Sequence, residues 1–562
     1  MNILLVGINS KFIHMNPAIY SLAAAAGQYS AAVHTAEYTI NMPYEEIRGG
    51  IYERLAADDK NVLMFSCYIW NIGTVEQLLA DFAVISPTTE LWIGGPEVGY
   101  RAKDMLKRIP QLTGVFVGEG EHAFREVVRL YAENAIDDRT LAQIPGIAFQ
   151  SRSAGENAEP VETGIGKMMA AEEIPFWYRD DETGHLKTIF KNRILYYESQ
   201  RGCPFRCSYC LSSIDKTVRQ KTMPQVLSEL AFFLKEGVRQ VKFIDRTFNC
   251  NPTRTVEILQ FLKENDNGIT NFHFEMEGAL LTAEEIRLLQ SLRPGLVQLE
   301  LGVQTTNRET LRAIHRDDRL TRLWDNVKEL RKNRNIHLHL DLIAGLPYEN
   351  LASFQNSFCE VYAQRPDELQ LGFLKVLHGT SMEEEAAQYE IRYSQTPPYE
   401  VMATKWISFS ELLLLKRVEA MLEIYYNSGQ FTTTLPILEG MFENPFALYR
   451  SLAEFEERTG RAGLSFSRLQ RYEILYEFMT EREPEQALRN REVLLYDLYL
   501  RENIKSLPKF AENRKSVRIS QKGDRNLLHT EEFLYPKPHV VTFDYSKRDA
   551  ITNNAAVTEE IG

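Results

Sequence analysis

Three cysteines fall within eight residues of this chain, in the segment Arg201-Gly-Cys-Pro-Phe-Arg-Cys-Ser-Tyr-Cys210. The apolar run at 194–199 reads as a strand, so one loop after it must gather three thiols. Cubane iron–sulfur clusters commonly take four cysteine ligands. Three ligands leave one iron open to an external group. Gly202 and Pro204 suit a tight loop that brings backbone toward the cluster. Structural zinc would need a fourth ligand, usually from a second knuckle. Cys250 and Cys359 are single, and His185 is not at knuckle spacing. No signal peptide is evident and no apolar run is long enough to span a bilayer, so a cytoplasmic, reducing location is expected. There the six cysteines are not expected to form a disulfide framework.

The surrounding pattern predicts an α/β chain. Runs at 2–6, 33–40, 61–69, 91–95 and 115–118 read as strands. A helix is expected after Asn16, with Pro17 at its first position. Apolar residues at 75, 78, 79, 82 and 85 predict another. Such alternation gives a parallel sheet covered by helices, with ligands bound beyond the carboxyl ends of its strands. The loops there are 7–16, 67–73, 94–97 and 118–121. Residues 151–190, rich in Gly, Ala, Glu and Asp, read as a linker. Six further strands, at 194–199, 240–245, 272–277, 296–303, 336–343 and 369–377, predict a partial barrel with its active residues on the loops after the strands. From 396 onward helices dominate, at 404–426, 440–457, 467–479 and 490–502. A late strand is expected at 540–545, and the last dozen residues are expected to fray. The division is thus 1–150, 151–190, 191–395 and 396–562.

The cysteine loop in this context resembles the radical S-adenosylmethionine (SAM) superfamily. The resemblance implies that Cys203, Cys207 and Cys210 hold a 4Fe–4S cluster whose open iron chelates SAM. An electron from the cluster then cleaves the sulfonium. Further segments resemble the family in order: 243–249 with Asp245, 274–278, 300–305 with Glu300 and Gln304, 341–349 with Asp341 and Gly345, and 374–380. By resemblance, Asp245, Glu300, Gln304 and Asp341 contact SAM or substrate, Gly345 lies near adenine, and Tyr209 is the aromatic beside it.

A Rossmann-like domain ahead of such a barrel resembles the cobalamin-binding class of the superfamily. Gly94, Gly95, Gly118 and Gly120 look like that class's loops, where small residues let backbone approach the corrin. Cobalamin domains with an axial histidine carry DxHxxG. Here the loop reads Asn9-Ser-Lys-Phe-Ile-His-Met-Asn-Pro17, without that Asp or Gly, which leaves His14 a candidate ligand only. The resemblance implies methyl transfer to an unactivated carbon of an unknown substrate, with an electron donor such as flavodoxin or ferredoxin. The alternatives are a methylthiotransferase-like or ring-forming radical SAM enzyme, or a non-enzymatic metal-binding protein. Only Cys67 precedes the linker and the C-terminus reads as helical, whereas methylthiotransferases carry three N-terminal cysteines and a terminal barrel. Cys67 and Cys359 read as small buried apolar residues.

Hydrophobic residues make up 44% and charged residues 25%, an ordinary globular composition. The net charge of -13 argues against broad nucleic-acid binding. The charge-rich stretch 308–334 reads as a solvated helix face. The basic stretch of Arg514, Lys515, Arg518, Lys522 and Arg525 reads as a solvated loop. No catalytic residue beyond the cofactor ligands is legible.

Overall fold

A computed structural model describes residues 1–561 except 57–59, 154–157, 317–318, 505 and 513–526. The basic stretch at 514–525 lies outside the described residues. The chain divides into two compact units. One comprises Met1–Glu277 with 314–316 and 374–402; the other comprises 278–313, 317–373 and 403–562.

The first unit opens with seven strands: β1 (Asn2–Asn9), β2 (Val33–Thr39), β3 (Asn61–Ser66), β4 (Glu90–Gly94), β5 (Gly114–Phe116), β6 (Ile147–Phe149) and β7 (Val161–Glu162). Their order is β2-β1-β3-β4-β5-β6-β7. The first five run parallel, and β6 and β7 are an antiparallel edge. The chain reverses direction across the sheet at β1 and β3, which opens a crevice beyond their carboxyl ends. Helices α1 (Pro17–Ala25), α2 (Tyr44–Tyr52), α3 (Ile72–Ile85), α4 (Ala102–Arg108) and α5 (Glu121–Ala132) accompany the sheet. Asn16 caps α1 through its side chain, as its sequence predicts. Strand β1 is buried along its whole length, which is why it reads as a continuous apolar run.

Residues 151–190 are more than a linker. They hold β7, a bridge between Arg179 and Leu186, and the buried Trp177, Tyr178 and Phe190. Phe176 packs edge-on against Phe232 and Phe233. A few aromatic residues thus bury a segment whose mean composition is polar.

The second strand series starts in the first unit with β8 (Leu195–Tyr197), the short pair β9 (Gln200–Arg201) and β10 (Arg219–Gln220), then β11 (Gln240–Phe243) and β12 (Asn271–Met276). β8, β11 and β12 are parallel neighbours. A helix over Met223–Lys235 precedes β11 and is followed by Gly237 at φ +63°. Asn251 caps the next helix, Pro252–Glu264.

The second unit holds β13 (Val297–Gln304), β14 (His337–Ala344) and β15 (Glu368–Phe373), also parallel. Alternate residues of β13 are buried, so Gln298, Glu300, Gly302 and Gln304 share its other face. The later helices include Phe409–Leu422, Pro445–Arg458, Arg468–Arg482 and Ala487–Arg501. The C-terminal segment does not fray: Leu528–Phe533, His539–Arg548 and Ala555–Ile561 form a three-stranded antiparallel sheet. Among the described residues, no helix is long and apolar enough to cross a membrane.

Candidate functional site

A cavity of about 550 Å³ lies in the first unit at the β1/β3 switch point, beyond the carboxyl ends of the strands. Its lining comes from the ends of β1, β3, β4 and β5 and from β8 and β9 of the second series. His14, Gly94, Gly95, Gly118 and Gly120 all line it. Gly95 adopts φ +116°, and a Cβ there would sit 2.5 Å from the Cys67 carbonyl. The glycine therefore lets the β4 loop close against the β3 loop and leaves the cavity wall as bare backbone. The rings of Tyr68 and Trp70 stack 4.3 Å apart on the same lining. His14 Nδ1 lies 2.6 Å from the Tyr196 hydroxyl. Burial lowers the His14 pKa, with Lys11 and Lys242 adding to the effect. The imidazole is thus neutral at neutral pH and fixed by a residue of β8.

The cysteine loop leaves the same wall. β9 and β10 pair Arg201 with Arg219 and close the loop at its base. Gly202 is at φ +90°, and a Cβ there would sit 1.7 Å from the Thr217 carbonyl. Only glycine fits this turn. Cys203 and Cys207 are buried and Cys210 half-buried. Cys203 Sγ lies 3.4 Å from Thr247 Oγ1. Burial pushes the Cys207 thiol pKa up, while the Arg316 guanidinium, 3.7 Å from its sulfur, favours the thiolate. Among the described residues, no three His, Cys, Asp or Glu side chains converge as one metal ion requires. A cubane asks something different, since each thiolate meets a separate iron. Three soft thiols in one loop beside a largely buried cation suit such a cluster.

Arg316 departs from the solvated face expected over 308–334. Its side chain is only 15% exposed and donates to Glu277 Oε2 at 2.8 Å. The backbone explains this: Ser208 N donates to Ile314 O at 3.1 Å, which folds 314–316 onto the cysteine loop. Nothing in a charge run reveals such a return.

Asp245 is fully buried. Its carboxylate accepts from Ser199 N at 2.8 Å, Gln200 N at 3.2 Å and the Ser199 hydroxyl. Burial raises its pKa to about 7, against those hydrogen bonds. These contacts hold the strand that feeds the cysteine loop.

The remaining predicted residues lie in the second unit. Glu300 is in register with His339, and Gly302 with Asp341. His339 Nε2 approaches Asp341 Oδ1 to 2.9 Å. Although burial opposes it, the Asp341 carboxylate helps to raise the His339 pKa to about 9. Gln304 sits at a strand irregularity with φ +70°, and Gly345 turns the chain after β14 at φ +86°.

Several residues that the motifs did not single out join the cavity to the loop. Arg201 Nη2 lies 2.7 Å from Glu121 Oε1, Nη1 lies 3.2 Å from Glu119 Oε2, and Nε lies 3.0 Å from Glu198. Arg219 pairs with Glu119 and, at 3.0 Å, with Asp215. Arg201, Glu119, Glu121 and Glu198 all line the cavity.

Comparison with known proteins agrees with this layout. Residues 3–128 match the B12 binding domain, 197–358 the radical SAM superfamily, and 387–557 a protein family of unknown function, DUF4080. The chain is therefore a radical SAM superfamily member with a B12-binding domain ahead of the radical SAM domain. It is 25% identical over 320 residues to a 2-(S-pantetheinyl)-carbapenam-3-carboxylate methyltransferase of Streptantibioticus cattleyicolor, covering 55% of this chain and 46% of that one. It is 26% identical over 330 residues to the cobalamin-dependent radical SAM methyltransferase TokK of Streptomyces tokunonensis, covering 56% and 46%. The matches span about half the length of these relatives. The cobalamin-dependent SAM radical enzyme OxsB shares the fold at a TM-score of 0.59 and 14% identity, over 89% of this chain and 80% of that one.

Proposed function

We propose that the chain is a corrinoid-dependent radical SAM enzyme that transfers a methyl group to an unactivated carbon. The observation that carries this reading is the shared wall: the cavity at the B12-binding strand ends is lined by Glu198 and Arg201, next to the cysteine loop. Cys203, Cys207 and Cys210 hold the cluster in this reading, and Tyr209 flanks SAM. When bound, the cluster would supply the electron that cleaves SAM, and the corrinoid would supply the methyl group.

The chain's own residues position these groups. Gly94, Gly95, Gly118 and Gly120 would admit the corrinoid close to backbone, and His14, oriented by Tyr196, would be the side chain offered to its metal. Asp245 holds Ser199 and Gln200, so it acts by positioning the loop. Glu300, Gln304, Asp341 and Gly345 are assigned to SAM and substrate. The segments 1–150, 191–395 and 396–562 then serve corrinoid binding, radical chemistry and substrate shaping, with 151–190 packed between the first two in sequence. A small reductant such as flavodoxin or ferredoxin delivers electrons.

The test is anaerobic purification with iron, sulfide and cobalamin analysis, then incubation with SAM and a reductant. The reading expects 5′-deoxyadenosine from wild type and none from Cys207→Ala. Product that survives Cys207→Ala would overturn it. Failure to bind supplied cobalamin would remove the corrinoid part.

A further inference from the structure

Arg201 occupies an unusual position. It is one residue from Gly202 and two from Cys203, yet its guanidinium is spent on carboxylates of the B12-binding domain. Glu119 is shared: it also pairs with Arg219, which faces Arg201 across the hairpin that closes the cysteine loop. The set holds four carboxylates, Glu119, Glu121, Glu198 and Asp215, against two guanidinium groups. Glu119, Glu121 and Glu198 also line the cavity, so a ligand there meets the same carboxylates that hold Arg201. The edge of a corrin ring carries primary amides, whose N–H groups are donors suited to such oxygens.

The loop side is close-packed: a Cβ on Gly202 would sit 1.7 Å from the Thr217 carbonyl, so backbone lies against backbone next to Arg201. Interfaces of this kind have discrete arrangements and do not deform continuously.

We propose that Arg201 and Glu119 are positioning residues that couple the two cofactor sites. A corrinoid that draws on Glu119 and Glu121 fixes Arg201 and, through Gly202, the cysteine loop; a cluster in that loop fixes the same wall from the other side. Linkage makes the effect reciprocal. The inference rests on the corrinoid reading above and adds to it an energetic dependence between the sites.

The test uses the full chain, anaerobically, in cluster-free and cluster-loaded forms. Each is titrated with hydroxocobalamin, following quenching of Trp70 and Trp177 fluorescence, since both line the cavity. Wild type is expected to bind about fivefold or more tightly when cluster-loaded. Cluster loss to a chelator should slow by a similar factor when cobalamin is bound. Glu119→Gln should bring both ratios toward one, whatever it does to the affinity of each site taken alone. Arg219→Gln is the second variant should Glu119→Gln fail to fold, with the same expectation. Equal affinities in the two wild-type forms would overturn the inference, as would a ratio that survives both substitutions. No cobalamin binding in either form would instead bring down the corrinoid reading, and the inference with it.

Discussion

Arg316 Nη1 stands 3.7 Å from Cys207 Sγ, across more than a hundred residues of sequence. Nη2 donates to Glu277 Oε2 at 2.8 Å, so one largely buried cation serves a thiol and a carboxylate together. Removing one partner of a fully buried pair costs about 3–5 kcal/mol, and this pair is 15% and 12% exposed, so water screens part of that cost. Arg316→Gln should therefore destabilise the cluster-free protein by about 2 kcal/mol in urea denaturation. The double variant Arg316→Gln/Glu277→Gln should recover most of that loss. An Arg316→Gln effect below about 1 kcal/mol, the level of an exposed pair, would contradict this account.

Gly202 gives a sharper local prediction. A methyl group there meets the Thr217 carbonyl at 1.7 Å, on a backbone that is left-handed. Gly202→Ala should sharply reduce iron and sulfide content after reconstitution. Gly268→Ala is the control, because Gly268 also has positive φ but nothing within 4 Å of the added carbon. The two should differ in cluster content while keeping similar far-ultraviolet circular dichroism.

The cavity wall can be tested in the same way at Gly95. Its φ of +116° and the 2.5 Å approach to the Cys67 carbonyl make Gly95→Ala strained by about 1–3 kcal/mol. The β4 loop must then move, and cobalamin affinity should fall about tenfold, equivalent to about 1.4 kcal/mol. Equilibrium dialysis of the variant against hydroxocobalamin measures this. Unchanged affinity would remove the β4 loop from the binding wall.

Asp245 predicts a pH dependence. Burial raises its pKa from 3.8 to about 7, so between those values the folded chain holds a proton that the unfolded chain has released. Stability from this group is present at low pH and is lost as pH rises through about 7. Relative to Asp245→Asn, wild type should therefore lose stability from pH 5 to pH 8. Urea midpoints of cluster-free protein at the two pH values give the sign. A gain for wild type over that interval would mean that its carboxylate is stabilised in the fold.

What proved legible in the sequence is local. Asn16 with Pro17 marks a helix start because caps act within a few residues. Strands β1 and β3 are legible because burial on both faces writes nearly continuous apolar runs. Residues 151–190 misled because three buried aromatics do not alter a polar average. Of the terminal sheet only the strand at 540–545 was legible; Leu528–Phe533 was not, because it buries the polar His529 and Glu531 and exposes Leu528, which inverts the usual pattern.

The sequence by itself determined the cysteine loop: three thiols, a glycine suited to a tight turn, and a strand to deliver them. Spacing along one short loop limits the geometry almost wholly, so no distant residue is needed to read it. Only the tertiary structure decided which charges surround that loop. Arg316 returns from a charge-rich segment, and Glu119 and Glu121 arrive from another domain. Ion pairs carry no sequence periodicity, and they become specific only when burial strips away water and makes each partner necessary.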